Sequence, residues 1–250
     1  MTRYVKRELI CANCGHQFSD FALASTNSFG GSPNLDTPSG GMARQALLRA
    51  IHVCPQCHFC STDIQTLLEG GAAAIASQRY INTFNSGALP ECCRHWSCWG
   101  QILEAANHVS QAGWAYLKAA WACDDWQYED GSNRYRRQAI RCFQAAQASN
   151  QSFRQDKEVF GQHTLEENAI LVDLFRRIRD FETATAIAKK THASPGKPGD
   201  RSQQFMQSIL QFQMHLCSIE NSQPYKFSDV ETFSKNPKQW HPKRWWQFWR

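Results

Sequence analysis

From about residue 95 onward, apolar residues recur at intervals of three and four. Ile102, Ala106, Val109, Gly113, Tyr116 and Ala120 form one such stripe, and Phe205, Ile209, Phe212, Leu216 and Ile219 form another. That spacing follows the 3.6-residue period of an amphipathic helix and predicts an all-helical region. Nothing there alternates as a strand. The front of the chain reads differently: residues 4–10 predict a short strand, and residues 17–24 alternate imperfectly as a second one. Residues 25–41 are rich in Gly, Ser, Pro and Asn and predict a long loop, followed by a short helical stretch over residues 42–51. No apolar run approaches the roughly 18 residues of a membrane-spanning helix.

The helical region carries an internal register. Val109-x₂-Ala112-Gly113-x₂-Tyr116 matches the first helix of the tetratricopeptide pattern, and Ala139-x₃-Phe143-x₂-Ala146 matches the second. The two halves stand 14 residues further apart than the standard repeat, with a polar turn expected over residues 124–134. A second copy, Asn168-x₂-Leu171-Val172-x₂-Phe175 followed by Ala184-x₃-Ala188 and Pro195, fits without insertion, with Asp180-Phe181-Glu182 at the turn between its helices. One period of 34 residues beyond Asn168 lies Ser202, and Phe205, Met206 and Ile209 take the corresponding core positions. Stacked repeats of this kind make a concave groove suited to a protein or peptide partner. A generic helical bundle with small residues at close helix contacts is the plainer alternative.

The chain has 11 cysteines among 250 residues. Two pairs, Cys11-Ala-Asn-Cys14 and Cys54-Pro-Gln-Cys57, each present two sulfurs to one point, and together they supply the four thiolates of a tetrahedral zinc site. Gly15 suits the backbone turn behind the first pair. Four thiolates leave no open position for a water, so the expected Zn²⁺ is structural; iron accepts the same ligands. The 39 residues between Cys14 and Cys54 exceed the usual gap, and the loop over 25–41 accounts for much of the excess. Cys54-Pro-Gln-Cys57 lacks the strand and helix that flank a redox motif. Cys60 is a spare ligand candidate, and Cys92, Cys93 and Cys98 form a dense thiol group that reads as a second metal site, a reactive thiol or simply buried packing. Cys123, Cys142 and Cys217 fall on apolar helix faces.

Charge alters the picture only at the end of the chain. Of 27 Lys and Arg, five (Lys235, Lys238, Lys243, Arg244 and Arg250) lie in the last sixteen residues, which hold no acid; the remainder balances 22 Asp and Glu. A neutral body argues against a broad nucleic-acid footprint. The tail interleaves these cations with Trp240, Trp245, Trp246, Phe248 and Trp249, which suits a membrane–water interface, single-stranded nucleic acid or packing on the protein's own last helices. Hydrophobic residues at 42% and charged residues at 20% indicate a globular chain, and the charges within residues 1–10 sit where a secretion signal would place its apolar stretch. These features predict a cytoplasmic protein.

The run Cys11-Ala-Asn-Cys14-Gly15, the loop Pro33-Asn-Leu-Asp36-Thr-Pro-Ser with Met42-Ala-Arg44, and Val53-Cys54-Pro55-Gln-Cys57 resemble the bacterial proteins of domain-of-unknown-function family 2225. The resemblance is specific over residues 7–62 and looser through the helices. It implies a bacterial, cytoplasmic origin, the same four cysteines as ligands and tetratricopeptide-like helices; it implies no activity. His58 departs from the glycine that often follows the second pair there.

The expected architecture is mainly α: a zinc-ribbon-like β module over residues 1–62, a helical connector over 63–94, a tetratricopeptide-like domain over 95–222 and a basic, Trp-rich tail over 223–250. No catalytic set stands out. Asp124-Asp125 and Glu166-Glu167 are sequence neighbours whose side chains would point about 100° apart on a helix, and Gly196-Lys-Pro-Gly199 lacks the Gly-Lys-Ser/Thr of a phosphate loop. The expected function is a zinc-stabilised protein–protein interaction module and not an enzyme. The alternative is a zinc–thiolate redox regulator drawing on Cys60 or the Cys92, Cys93 and Cys98 group.

Overall fold

The computed structural model describes residues 2–26, 31–37, 44, 46, 50–149, 163–193 and 201–242. It is mainly helical, with a small N-terminal sheet. Strands β1 (Arg3–Ile10) and β2 (Gln17–Ser25) form an antiparallel hairpin, and β3 (His52–Val53) and β4 (Cys60–Ser61) form a second, shorter one. Helices α1 (Gly71–Ala76), α2 (Gln78–Phe84), α3 (Glu91–Ala105), α4 (Val109–Asp125), α5 (Glu129–Ala148), α6 (His163–Arg177), α7 (Phe181–His192), α8 (Arg201–Ser218) and α9 (Phe227–Lys235) follow.

The chain divides into two compact units, Met1–Gly30 with Gly40–Phe153, and Gly31–Ser39 with Arg154–Arg250. The division expected near residue 62 is therefore not where the contacts thin out. Phe59, Cys60 and Ile64 are buried, and the Tyr80 hydroxyl of α2 accepts from the Cys60 amide and donates to the His58 carbonyl, so the cysteine module is built into the first helices. The boundary expected at residue 94 falls inside α3.

Helix α4 is the centre of the first unit. It is buried on almost every side, because α3 packs on one flank and α5 on the other. Gly113 permits the closest approach: a Cβ there would overlap the Phe143 ring of α5. Gly100 of α3 plays the same part against Tyr116, whose Cε1 would lie 2.8 Å from an added Cβ. The polar turn expected over residues 124–134 is instead mostly helix, with only residues 126–128 between α4 and α5. Its polar side chains pair along the helices: the buried Arg136 guanidinium donates to the Asp124 carboxylate and to the Ser132 hydroxyl. The 14 extra residues therefore lengthen two helices.

Four helices end in one device. The amides of Asn107, Gln127, Arg179 and Glu220 donate to the carbonyls of Glu104, Asp124, Arg176 and Cys217. The next amides, of His108, Tyr128, Asp180 and Asn221, reach back to Leu103, Cys123, Phe175 and Leu216 at 2.8–2.9 Å. This is the Schellman closure, and its first residue is left-handed in each case, with φ between 50° and 66°.

In the second unit α7 packs against both α6 and α8, and α6 also touches α8. Arg176 is wholly buried; it pairs with Asp173 and donates to the carbonyls of Asn221 at 2.7 Å and Gln223 at 2.8 Å, satisfying the backbone just beyond α8. The segment expected as a basic, Trp-rich tail from residue 223 packs, over its described part, on the protein's own last helices, one of the three placements its sequence suited. Asp229 accepts from the Lys226 amide and starts α9, Val230 and Phe233 are buried, and Trp240 rests on Phe212 at 5.1 Å and His215 at 5.4 Å. Aromatic area draws it in, although the local charge is basic. Trp245, Trp246 and Trp249 lie outside the described residues. The long loop is partly ordered too: Asn34 bridges Lys226, Leu35 donates to the Tyr225 carbonyl, and Leu35 and Asp36 are buried. Of the helix expected over 42–51, Arg44 and Ala46 are helical, residues 50–51 are not, and the rest lie outside the described residues.

Gly113→Ala gains about 1 kcal/mol of helix propensity but forces a methyl into the Phe143 ring, and overpacking of this kind costs about 1–3 kcal/mol. A lower denaturation midpoint is expected, with partial recovery in the Gly113→Ala, Phe143→Leu double variant.

Candidate metal centre

The two cysteine pairs sit at the tips of the two hairpins. In the first, the Cys11 amide donates to the His16 carbonyl at 2.9 Å and the Gly15 amide to the Cys11 carbonyl at 2.8 Å. In the second, the Cys54 amide donates to Phe59 at 2.9 Å and the His58 amide to Cys54 at 3.0 Å. The two turns are thus copies, position for position. Each needs a left-handed residue after its second cysteine: Gly15 has φ 74° and His58 has φ 61°. Glycine takes that conformation freely. The histidine is held in it by stacking on Phe84 of α2, with ring centroids 4.4 Å apart, so its departure from glycine leaves the second turn intact.

All four sulfurs lie within 4.8 Å of one another. Cys11 Sγ stands 3.6 Å from Cys57 Sγ, and Cys14 Sγ stands 3.6 Å from Cys54 Sγ. Zinc–sulfur bonds of about 2.3 Å in a tetrahedron separate the sulfurs by about 3.8 Å, so the arrangement fits such an ion with little adjustment. The close pairs run between hairpins, and an ion at their centre would therefore clamp one hairpin to the other. Cys11 and Cys54 are buried, Cys57 is half-buried and Cys14 is exposed.

The surroundings handle the charge unevenly. Burial pushes the Cys11 thiol up to about 12, against the lowering effect of the Cys14 and Asn13 amides. Burial would also raise Cys57, but the Asn13 side chain, the Phe59 amide and the neighbouring thiols hold it below the ordinary thiol range. Asn13, Phe59 and Tyr80 therefore support the site, and only Asn13, between the cysteines of the first pair, carried a positional signal in the sequence. Tyr80 lies 20 residues beyond the turn it braces, too far for any spacing rule.

The other thiols form separate groups. Cys60 is buried with its sulfur directed at the His58 carbonyl, 3.5 Å away, and it hydrogen-bonds Cys98 of α3. It stands outside the cluster of four. Cys93 is buried and shares hydrogen bonds with Cys123 of α4 and with Cys92. Cys92, half-exposed in the first turn of α3, receives the Cys93 thiol proton as a hydrogen bond and, with backbone amides adding to that and burial opposing it, is brought down to about 7. Cys142 and Cys217 are buried in helix contacts.

No known family model, curated protein or solved structure matches this chain. Among the described residues, no helix is long and apolar enough to cross a membrane.

Tyr80→Phe would leave the buried Cys60 amide and His58 carbonyl short of a partner, at about 1–3 kcal/mol; the expected result is a lower thermal midpoint together with faster metal loss to a competing chelator. Acidification should release the metal. The Cys11 proton, held to about 12, must leave when the ion binds, so affinity falls by about tenfold per pH unit for each proton displaced, which a chromophoric chelator titration across neutral to acid pH reads directly.

Proposed function

We propose that the chain is a structural-zinc protein that serves as a binding platform for a protein or peptide segment. The observation that carries this reading is the convergence of four cysteine sulfurs from two matched turns, a donor set that fills a tetrahedral ion and leaves it no catalytic position. Metal binding of this kind contributes on the order of 10–16 kcal/mol, which would fold a front end whose hairpins are otherwise thinly covered.

The platform itself is the helical part, read as tetratricopeptide-like. In support, Gly113 and Phe143, matched to the first and second helix of the pattern, pack against each other, and α6, α7 and α8 follow one another at the spacing of the second register. Eleven free thiols suit a reducing, cytoplasmic setting. This reading agrees with the resemblance to family 2225 at the two cysteine pairs.

One observation favours a second reading, a thiol-based redox regulator: Cys92 is half-exposed and is acidic enough to be substantially thiolate near neutral pH. Its site is separate from the metal cluster. The two readings part under mild peroxide.

Elemental analysis of the purified chain should return one zinc per polypeptide, and the Cys14→Ser, Cys57→Ser variant should lose both the ion and the ordered front end. A platform should retain a specific partner from its host lysate in an affinity pull-down and keep its zinc at low peroxide. Reversible oxidation at Cys92 under the same peroxide would favour the regulator, and a chain without stoichiometric metal that folds equally well would end the platform reading.

A further inference from the structure

We infer that β1 pairs with β1 of a second copy of this chain, joining the two hairpins into a four-stranded antiparallel sheet. The β1–β2 ladder runs from Arg3↔Ser25 to Ile10↔Gln17, and the sheet they form contains only these two strands among the described residues. An isolated two-stranded ribbon is marginal in water, and an uncovered strand edge is a template for another strand. Here the ribbon is eight pairs long, and it exposes Ile10 by 54% and Phe21 by 60%.

The backbone fixes which groups are offered. The Cys11 amide donates across to His16, so hydrogen-bonded pairs alternate from there down the ladder. Lys6, Glu8 and Ile10 therefore fall at the positions that turn their N–H and C=O groups to the outer edge of β1, away from β2.

The side chains then choose the partner. Read outward from Arg7, the strand is self-complementary: Lys6 would face Glu8 of the second copy, Glu8 would face its Lys6, and Val5 would face its Leu9. This register puts the outward-directed residues opposite one another as hydrogen-bonded pairs and places Arg7 on the two-fold axis. Arg7 then faces its own copy across the axis with both side chains exposed to water, a single like-charge contact against two Lys6–Glu8 pairs. Lys6, Arg7 and Glu8 are all exposed. Centring the axis on Lys6 or on Glu8 instead would oppose like charges and form neither Lys6–Glu8 pair. The β2 edge offers no such symmetry, for a register centred on Phe21 sets Asp20 against Ala22 and Ser19 against Leu23. Edge lysines ordinarily discourage strand addition. With Glu8 two residues away, Lys6 finds an acid directly opposite in this β1–β1 register alone, which is the behaviour of a specific isologous contact.

Sedimentation velocity on the full-length, metal-loaded chain tests this. The wild type should sediment as a dimer that dissociates on dilution. Glu8→Lys turns both cross-pairs repulsive and should raise the dissociation constant by roughly tenfold or more. The Lys6→Glu, Glu8→Lys exchange restores opposite charges in the same register and should restore the dimer. Zinc content and thermal midpoint verify that each variant is folded. A wild type that stays monomeric at its highest soluble concentration overturns the pairing. A folded Glu8→Lys variant that dimerises like the wild type overturns it too, as does a folded exchange variant that remains monomeric.

Discussion

Four cysteine sulfurs brought to within 4.8 Å of one another are the constraint around which the front of the molecule is arranged. Unscreened by an ion, four negative sulfurs would repel, and the protonated alternative leaves buried thiols with little to hold them. A divalent ion at their centre would reverse that balance and give the hairpins a common anchor. The chain between the pairs is long, and closing it costs only slowly more as length grows. The sequence between Cys14 and Cys54 is consequently available for other uses, and residues 31–37 pair with the segment that starts α9.

The helices show a different economy. Their closest approaches are made by Gly100 and Gly113, each under a ring, and the two arginines buried among them are paired: Arg136 with Asp124 and Ser132, Arg176 with Asp173 and two backbone carbonyls. Removing one partner from such a group is costly, since it strands a buried charge. These side chains set where helices stop and how the following backbone is received.

The four-cysteine cluster was legible because cysteine spacing is a local property, and the strands around it were legible because they flank a short turn. Gly113 and Phe143 were each marked in the sequence by their place on an apolar helix face, but their contact was not. Other features were not. The end of α4 carries Gln127 where a glycine or asparagine would have announced the turn, so residues 124–134 read as a loop. Tyr80, Arg176 and Trp240 act across long sequence separations, through one hydroxyl, one guanidinium and one indole, and no periodicity marks them. His58 held its turn for a reason outside its neighbourhood, the ring of Phe84.

The four left-handed helix ends hold Asn107, Gln127, Arg179 and Glu220, and only the first is a residue that visits that region readily. Each of the other three carries a steric penalty of about 1–2 kcal/mol that the surrounding packing absorbs. A lineage of this protein moving to hotter surroundings has an inexpensive route open to it: exchange at these three loop positions for a residue lacking a β-carbon, leaving the cysteine cluster, the interior and the strands untouched. Cold or temperate descendants would show no such drift.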